Sequence, residues 1–294
     1  MAIKWLDAKR LQGTNAERLA LTTIETKSLD VHDADYVTAG GSAGDYNFLC
    51  GNSGGSGDFS ISCWIKPDSG CPDKAIILDQ FGFNSTNYVG FGARFNNSSG
   101  NRTISCGISP QGSFPSVTTG ADWVEDSWQY LTITYDSGTM KVYRNGVENV
   151  SGSVASTDST PSFVLRIGDT NSDDNPLDGY ISDLLLTDDV LSADEISALA
   201  SGTTVDNVSP AIDNQELHYT FFTDLTDSSG EGRNGTPTGS SPSGGSGLVG
   251  TGGGTLPLTS EYPNLPNGTI FNETDAYKYF MFDGTDTWNQ MVSS

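Results

Sequence analysis

The 294-residue chain has few basic residues and very few histidines. Lysine and arginine total 14 against 37 aspartates and glutamates, which gives a formal net charge of −23 at pH 7. A surface this acidic repels phosphate backbones and anionic lipid headgroups, so binding to nucleic acid or to a membrane surface is disfavoured. The two histidines, His32 and His218, form no HExxH motif and no pair with metal-ligand spacing. We expect no organic cofactor.

Long apolar runs are also missing. No segment approaches the roughly 20 apolar residues of a membrane span, so insertion into a membrane is not expected. Residues 1–10 contain no apolar run of the length found in secretory signal peptides. We therefore expect a protein that reaches the extracellular medium without a cleaved secretory signal peptide.

The four cysteines lack the CxxC spacing of zinc sites. Cys63 and Cys106 alternate with isoleucines, which predicts that they are small buried residues. Cys50 and Cys71 lie in segments rich in glycine, serine and proline, where they could form a disulfide outside a reducing compartment. Sequence does not choose among the three ways of pairing four cysteines.

Turn-forming residues are abundant, with 35 glycines and 12 prolines, which predicts many turns and little helix. Between residues 29 and 236, short segments such as 59–66 and 129–135 alternate apolar and polar side chains. Asn145-Gly146 between two such segments predicts a tight type I′ hairpin. One short helix is predicted at 191–202, where a capping box precedes an apolar stripe. The pattern predicts an all-β fold, an antiparallel two-sheet sandwich.

Composition divides the chain into four regions: a leader at 1–28, the sandwich at 29–236, a Gly/Ser-rich linker at 237–259 and a C-terminal module at 260–294. In the leader, Thr14 and Glu17 have capping-box spacing, which predicts one or two helical turns. In the C-terminal module, strand signals flank the turn Asp283-Gly284 and predict a β-hairpin. One hairpin is too small to be stable alone, so it must pack on the sandwich, on the leader or on another copy.

Four segments, taken in order, resemble the laminin-G-like, concanavalin A-like jelly roll: residues 58–67, 127–136, 142–147 and 165–196. Members of that family usually begin with a strand that reads YxF, followed by DSSGxxxNGT. Here the matching segment comes late, at 217–236. We expect a late strand within 215–236 to complete the sandwich, as a circular permutation of strand order. The alternative is the truncated start of a second domain.

The resemblance also implies a calcium ion. The positions that match the family's usual ligands are Asp183 and Asp35, and Asp178 and Asp173 are further candidates. The alternative is that these aspartates make Asx turns with their own backbone.

Sugar-binding proteins stack pyranose rings on exposed aromatic side chains. Trp123, Tyr88 and Phe114 lie in or near segments rich in asparagine and serine, and are the candidates for such a ligand site. The alternative for each is a role in core packing. Trp64 and Trp128 lie on or beside predicted strands and are expected in the core.

Catalysis is not expected. Glucanases of this fold carry acidic residues that alternate along one strand, because retaining hydrolysis needs two carboxylates about 5 Å apart. No such run occurs, and the GxSxG match at residues 40–44 lies in a glycine-rich loop rather than at a strand-to-helix turn. We expect the protein not to be an enzyme.

The two ends of the chain, residues 8–18 and 265–288, resemble short modules of phage and archaeal-virus structural proteins. This resemblance implies a base that attaches to a particle, with the jelly roll displayed outward. The sequence thus favours a virion structural protein at the virion surface: a capsid decoration, spike or fibre. Its partners would be other virion proteins, copies of itself and a host glycan. The alternative is a free-standing carbohydrate-binding or adhesion module of a prokaryote, at the cell surface.

Overall fold

The computed structural model describes most of the sandwich and short parts of the chain ends. The described residues are 4–7, 10–13, 28–32, 35–51, 57–84, 87–98, 101–109, 115–156, 161–170, 175–221, 224–239, 249–250, 270–273, 278–282 and 288–291. Two compact units are present, one formed by Thr26–Pro257 and one by Met1–Glu25 together with Leu258–Ser294. No helix of the described residues is long and apolar enough to cross a bilayer.

Strands dominate both units. In chain order they are β1 (Lys4–Asp7), β2 (Arg10–Gly13), β3 (Ser28–Val31), β4 (Tyr36–Thr38), β5 (Phe59–Pro67), β6 (Ile76–Asp79), β7 (Gly82–Asn84), β8 (Asn87–Ser98), β9 (Asn101–Ser109), β10 (Ser116–Thr118), β11 (Gln129–Asp136), β12 (Thr139–Arg144), β13 (Val147–Ser153), β14 (Arg166–Ile167), β15 (Gly179–Thr187), β16 (Gln215–Tyr219), β17 (Thr236–Thr238), β18 (Val249–Gly250), β19 (Ile270–Glu273), β20 (Lys278–Phe282) and β21 (Trp288–Met291). The described helices are the α-helix α1 (Ala193–Ala200) and the 3₁₀ helices Ala43–Cys50 and Val205–Asn207.

The larger unit is a sandwich of two antiparallel sheets. Sheet I has the strand order β10-β9-β8-β6-β14-β4-β17, and β7 pairs with β8. Sheet II has the order β13-β12-β11-β5-β15-β3-β18, and β16 pairs with β15. The all-β, two-sheet jelly-roll architecture expected from the sequence is confirmed.

Alternate residues of β5 form part of the core. Phe59, Ile61, Cys63 and Ile65 are completely buried, because successive residues of a strand point to opposite faces and this phase points into the sandwich. Burying one such apolar side chain stabilises the fold by about 1.5–3 kcal/mol. Cys106 on β9 is buried in the same core. The expectation that Cys63 and Cys106 are small core residues is confirmed.

Cys50 and Cys71 do not form the disulfide that their loop-like surroundings suggested. Both thiols are free, and both side chains are about 1% exposed. Cys50 ends the 3₁₀ helix Ala43–Cys50 and Cys71 follows β5, and both segments bury their thiol. Burial raises the pKa of the Cys50 thiol to about 12, which keeps it protonated and weakly reactive at neutral pH.

Two local predictions hold in detail. Asn145 and Gly146 have φ angles of 49° and 80°, as the two-residue turn between β12 and β13 requires. At the start of α1, the backbone N–H of Glu195 donates to Ser192 Oγ at 3.3 Å, and the N–H of Ser192 donates to Glu195 Oε2 at 2.7 Å. The helix then buries Ile196 and Leu199.

The late segment contributes a strand to each sheet. β16 pairs antiparallel with the second half of β15, and β17 pairs antiparallel with β4. Leu217, Tyr219 and Phe221 of this segment are completely buried in the core.

The smaller unit contains a five-stranded sheet in the order β1-β2-β19-β20-β21. β20 and β21 pair antiparallel, which confirms the terminal hairpin, and the predicted turn at Asp283-Gly284 lies outside the described residues. β19 pairs in parallel with β2, so the hairpin's sheet includes strands from the leader. The helical turns predicted at Thr14–Glu17 lie outside the described residues.

Candidate functional site

Three neighbouring strands and four residues that adjoin strand ends bring polar and aromatic side chains to one end of sheet II. Asp30 on β3 pairs with Tyr180 on β15, and Tyr180 pairs with Lys66 on β5. Their chain neighbours on these strands point into the core, so the three side chains lie on the outer face. We call the group of side chains at this end the Tyr180 patch: Asp30, His32, Lys66, Asp68, Trp128, Asp178 and Tyr180.

Tyr180 is the aromatic centre of the patch. Its ring centroid lies 5.1 Å from that of His32 in an edge-on arrangement and 6.4 Å from that of Trp128. The Lys66 ammonium lies 5.0 Å from the Tyr180 ring centroid, within the range of a cation–π contact. Tyr180, His32, Lys66 and Trp128 are all partly exposed, so the patch presents aromatic surface to solvent.

His32 is surrounded by carboxylates. Its Nδ1 bonds to Asp30, and its Nε2 lies 3.0 Å from Asp68 Oδ2 and 3.0 Å from Asp178 Oδ1. His32 follows β3, Asp68 follows β5 and Asp178 precedes β15. The ends of three paired strands therefore meet at the imidazole. The backbone N–H of Asp68 donates to the carbonyl oxygen of Asp178 at 2.9 Å, which fixes the two carboxylate-bearing segments to each other.

The carboxylates shift the pKa values of the two rings. Burial lowers the pKa of His32, but the hydrogen bonds to Asp68 and Asp30 and the negative charges of Asp30 and Asp178 outweigh it, so the pKa lies above its ordinary value of 6.5. Burial, and then the same three carboxylates, raise the pKa of the Tyr180 phenol to about 12. The phenol therefore keeps its proton at neutral pH.

The part of the chain that the structure describes contains one group of three side chains arranged as metal ligands, formed by His32, Asp68 and Asp178. Their ligand atoms all lie within 4.8 Å of one another. One imidazole nitrogen and two carboxylate oxygens are a donor set that a divalent transition metal accepts.

Of the four aspartates considered as metal ligands, Asp178 is the one that lies in this group. Asp183 is buried and bonds through Oδ1 to Nε2 of His218 at 2.8 Å. Asp35 is buried beside β4, and its backbone N–H donates to the carbonyl oxygen of His32 at 2.9 Å. Asp173 lies outside the described residues.

Of the three aromatic candidates, Trp123 is the one whose side chain the structure describes. Trp123 is 4% exposed, donates its indole N–H to Thr119 Oγ1 at 3.1 Å and packs on Phe95. It therefore offers no open face to a sugar. Phe114 and the side chain of Tyr88 lie outside the described residues.

Trp128 was expected in the core and instead lies partly exposed in the patch, whereas Trp64 is buried as expected. The sequence feature that could have located the patch is the alternation of inward-facing and outward-facing residues along each strand. Asp30, Lys66 and Tyr180 each occupy the phase opposite to completely buried neighbours.

Three proteins are described from among the many solved structures that are similar to this chain. The first is a Bacteroides ovatus protein named for a presumed carbohydrate-binding role, at 16% identity and a TM-score of 0.48, with 73% of this chain and 58% of that one covered. The second is a heptameric SAP-like pentraxin from Limulus polyphemus, at 14% identity and a TM-score of 0.44, with 64% of this chain and 85% of that one covered. The third is domain 4 of an extracellular arabinanase from Geobacillus stearothermophilus in complex with arabinotriose, at 24% identity and a TM-score of 0.38, with 49% and 66% covered.

The chain thus spans less than two thirds of the length of the Bacteroides protein. No curated protein matches the chain. A family model, that of the laminin-G type of jelly roll in the concanavalin A-like lectin/glucanases superfamily, matches residues 35–197, which is more than half of the chain. The protein belongs to the concanavalin A-like lectin/glucanases superfamily.

Proposed function

We propose that the protein is a non-enzymatic, glycan-binding structural protein of a virion surface, and that the Tyr180 patch is the surface that contacts the glycan. The observation that carries the ligand site is the position of a partly exposed tyrosine ring among three carboxylates and a lysine. Membership of a lectin superfamily supports the ligand class.

The chemistry of the patch suits a sugar ring. A pyranose presents C–H groups on its faces and hydroxyls at its rim, so it needs an aromatic surface beside hydrogen-bonding groups. The Tyr180 and Trp128 rings supply the surface, Asp68 and Asp178 accept hydrogen bonds, and Lys66 donates them. Since these residues lie on paired strands or beside them, little side-chain ordering remains to oppose binding.

Charge indicates which glycans fit. Asp30, Asp68 and Asp178 make the patch acidic, and the whole chain carries a formal charge of −23. Sialylated or sulfated glycans would be repelled on approach. We therefore expect neutral sugars, or sugars with free amino groups, to bind best.

The contacts that Asp68 and Asp178 make with His32 disfavour a role in hydrolysis. Asp68 and Asp178 lie close together, but both face the same nitrogen of His32. A glycosidase needs one carboxyl group free to donate a proton to the leaving oxygen while the other acts as nucleophile or base. The arrangement suits binding better than bond cleavage.

Display on a particle is supported by the make-up of the smaller unit. Its sheet contains strands from both ends of the chain, and the sandwich, within Thr26–Pro257, lies between those strands in sequence. In such an insertion the inserted domain can face a ligand while the terminal unit attaches to other virion proteins and to copies of itself. The alternative is a prokaryotic carbohydrate-binding module at the cell surface.

A glycan array with neutral, amino and sialylated sugars tests the ligand proposal. The expected result is binding of neutral or amino sugars that weakens at least tenfold in Tyr180→Ala and Trp128→Ala. Tyr143→Ala, which alters another partly buried tyrosine of sheet II, should leave binding unchanged. Absence of any ligand, or binding that is indifferent to Tyr180→Ala, would overturn the site. Reducing sugar released from a bound polysaccharide would overturn the non-enzymatic assignment.

Electron microscopy of native particles labelled with antibodies to the sandwich tests the location. Repeating copies on the particle surface support the virion role. A chain found free, or on cell surfaces alone, would support the prokaryotic module.

A further inference from the structure

Two carboxylates converge on a single nitrogen of His32. The Nε2 atom lies 3.0 Å from an oxygen of Asp68 and 3.0 Å from an oxygen of Asp178. One N–H group can point directly at one acceptor only, so a proton on Nε2 cannot bond well to both. A cation placed among the three atoms can interact with all of them.

The two nitrogen–oxygen distances suit a small divalent ion. Zinc lies about 2.0–2.2 Å from imidazole nitrogens and carboxylate oxygens, which puts two neighbouring ligands of a tetrahedral site about 3.3 Å apart. The two observed nitrogen–oxygen distances of 3.0 Å differ from that separation by a few tenths of an ångström. The two carboxylate oxygens, which lie within 4.8 Å of each other, would approach the same separation on binding the ion.

His32 also makes the second hydrogen bond that is typical of metal-bound histidines. Its second nitrogen, Nδ1, bonds to the buried carboxylate of Asp30. A carboxylate on the far nitrogen fixes the tautomer, directs the lone pair of the near nitrogen at the metal and makes it a stronger donor. Tyr180 packs edge-on against the ring and restricts its rotation.

We propose that His32, Asp68 and Asp178 form a binding site for a divalent transition metal ion such as Zn²⁺, with Asp30 as the residue that positions His32. Three protein ligands leave a fourth position for water. Calcium, which the resemblance implied for Asp178, prefers six to eight oxygen ligands and suits this donor set less well. The site goes beyond glycan binding, and it can be measured with no glycan present.

The site would also stabilise the fold. Its ligands come from the ends of β3, β5 and β15, which are neighbours in sheet II. An ion bound only in the folded state raises the free energy of unfolding by an amount set by its concentration relative to the dissociation constant. The melting temperature should therefore rise when Zn²⁺ is added to the chelator-treated protein.

Titration calorimetry of the full chain with Zn²⁺ tests the proposal, together with visible absorption of the Co²⁺ form as a readout of coordination. We expect one ion per chain. Affinity should fall at least tenfold in His32→Gln and in Asp178→Asn, and 10- to 100-fold in Asp30→Asn. Asp136→Asn changes an exposed carboxylate at the opposite end of β11 from the patch and should leave binding unchanged. Circular dichroism confirms that each variant is folded.

Three outcomes would overturn the site. One is the absence of saturable Zn²⁺ uptake, and another is uptake that His32→Gln and Asp178→Asn both leave unaltered. The third is Ca²⁺ binding that depends on Asp178 but not on His32, which would mean an all-oxygen site. These results leave the glycan proposal untouched, because they are read on the protein with no glycan present.

Discussion

Nε2 of His218 lies 2.8 Å from Oδ1 of Asp183, and both side chains are only 1% exposed. The histidine belongs to the late strand β16, and the aspartate lies at an irregularity of β15 where the pairing register with β5 shifts. Asp183 has a φ of 49°, a left-handed conformation that costs energy for a residue other than glycine. The pair thus joins the late segment to the middle of sheet II, and Asp183 makes this contact from a strained backbone conformation.

We predict that Asp183→Ala or His218→Ala lowers the free energy of unfolding by about 1–3 kcal/mol, because each change leaves a buried polar partner without its hydrogen bond. Urea denaturation followed by tryptophan fluorescence measures the change. The double variant should lose less than the sum of the two single losses, since it leaves neither partner behind.

The exposed pair Lys141 and Glu148, at 3.1 Å, provides the matched control. Both side chains are well exposed, so Glu148→Gln should cost less than about 1 kcal/mol. Equal losses at the buried and the exposed pair would mean that burial does not determine the value of the Asp183–His218 contact.

Removal of the late segment should unfold the sandwich. A chain of residues 26–257 contains the whole larger unit and is expected to fold cooperatively. A chain of residues 26–214 lacks β16, β17 and β18, exposes the edges of β15, β4 and β3, and loses the buried Leu217, Tyr219 and Phe221. Circular dichroism and thermal melting of the two chains distinguish the cases, and a cooperative transition in 26–214 would show that the late strands are dispensable.

Local signals in the sequence were sufficient for much of the fold. The turn at Asn145-Gly146 depends on two adjacent residues that tolerate positive φ, and the start of α1 depends on Ser192 and Glu195, three positions apart. The alternation in β5 needed only a period of two to predict which side chains enter the apolar core between the sheets. Each of these features is encoded within one segment, so no knowledge of strand pairing was needed.

The candidate site was not predictable in the same way. His32, Asp68 and Asp178 are far apart in the chain, and only the register between β3, β15 and β5 brings them together. For Trp123 the sequence was misleading, because the composition of the surrounding segment suggested an exposed side chain and the structure buries it. Its indole N–H finds a buried partner in Thr119, which removes the cost of burying that polar group.

The cysteines give a prediction about chemical reactivity. All four are buried and unpaired, and burial is the main cause that raises the pKa of each thiol. A thiol-specific chromogenic reagent should therefore react slowly with the folded protein. After denaturation without reductant, four thiols per chain should react at once. A count of two would show that Cys50 and Cys71, or another pair, are oxidised.

Asp227 gives a prediction about pH, because its carboxylate organises the loop that follows β16. It accepts hydrogen bonds from the backbone N–H groups of His218, Ser229 and Arg233. Burial alone would raise the pKa of Asp227, but these hydrogen bonds outweigh burial and lower it below its ordinary value of 3.8. The ionised form is therefore favoured more strongly in the folded state than in the unfolded state.

The direction of the pH effect follows from this shift. A carboxyl group with a lowered folded-state pKa contributes its full stability above its unfolded-state pKa and loses it as the pH falls through the folded-state value. Asp227→Asn removes the charge, so we expect it to reduce the free energy of unfolding by about 1–3 kcal/mol at pH 7. The difference from the wild type should shrink below about pH 4, where protonation weakens the same hydrogen bonds in the wild type.

Urea denaturation at pH 7, 5 and 3 measures the difference, with Asp213→Asn, a change at an exposed aspartate, as the control. The control should stay close to the wild type at every pH. A constant gap between Asp227→Asn and the wild type from pH 7 to pH 3 would mean that the shape of the side chain, rather than its charge, orders the loop. In that case the loss would come from the replacement of Oδ2, which accepts from the Arg233 N–H, by an amide nitrogen that cannot accept, and not from the removal of the charge.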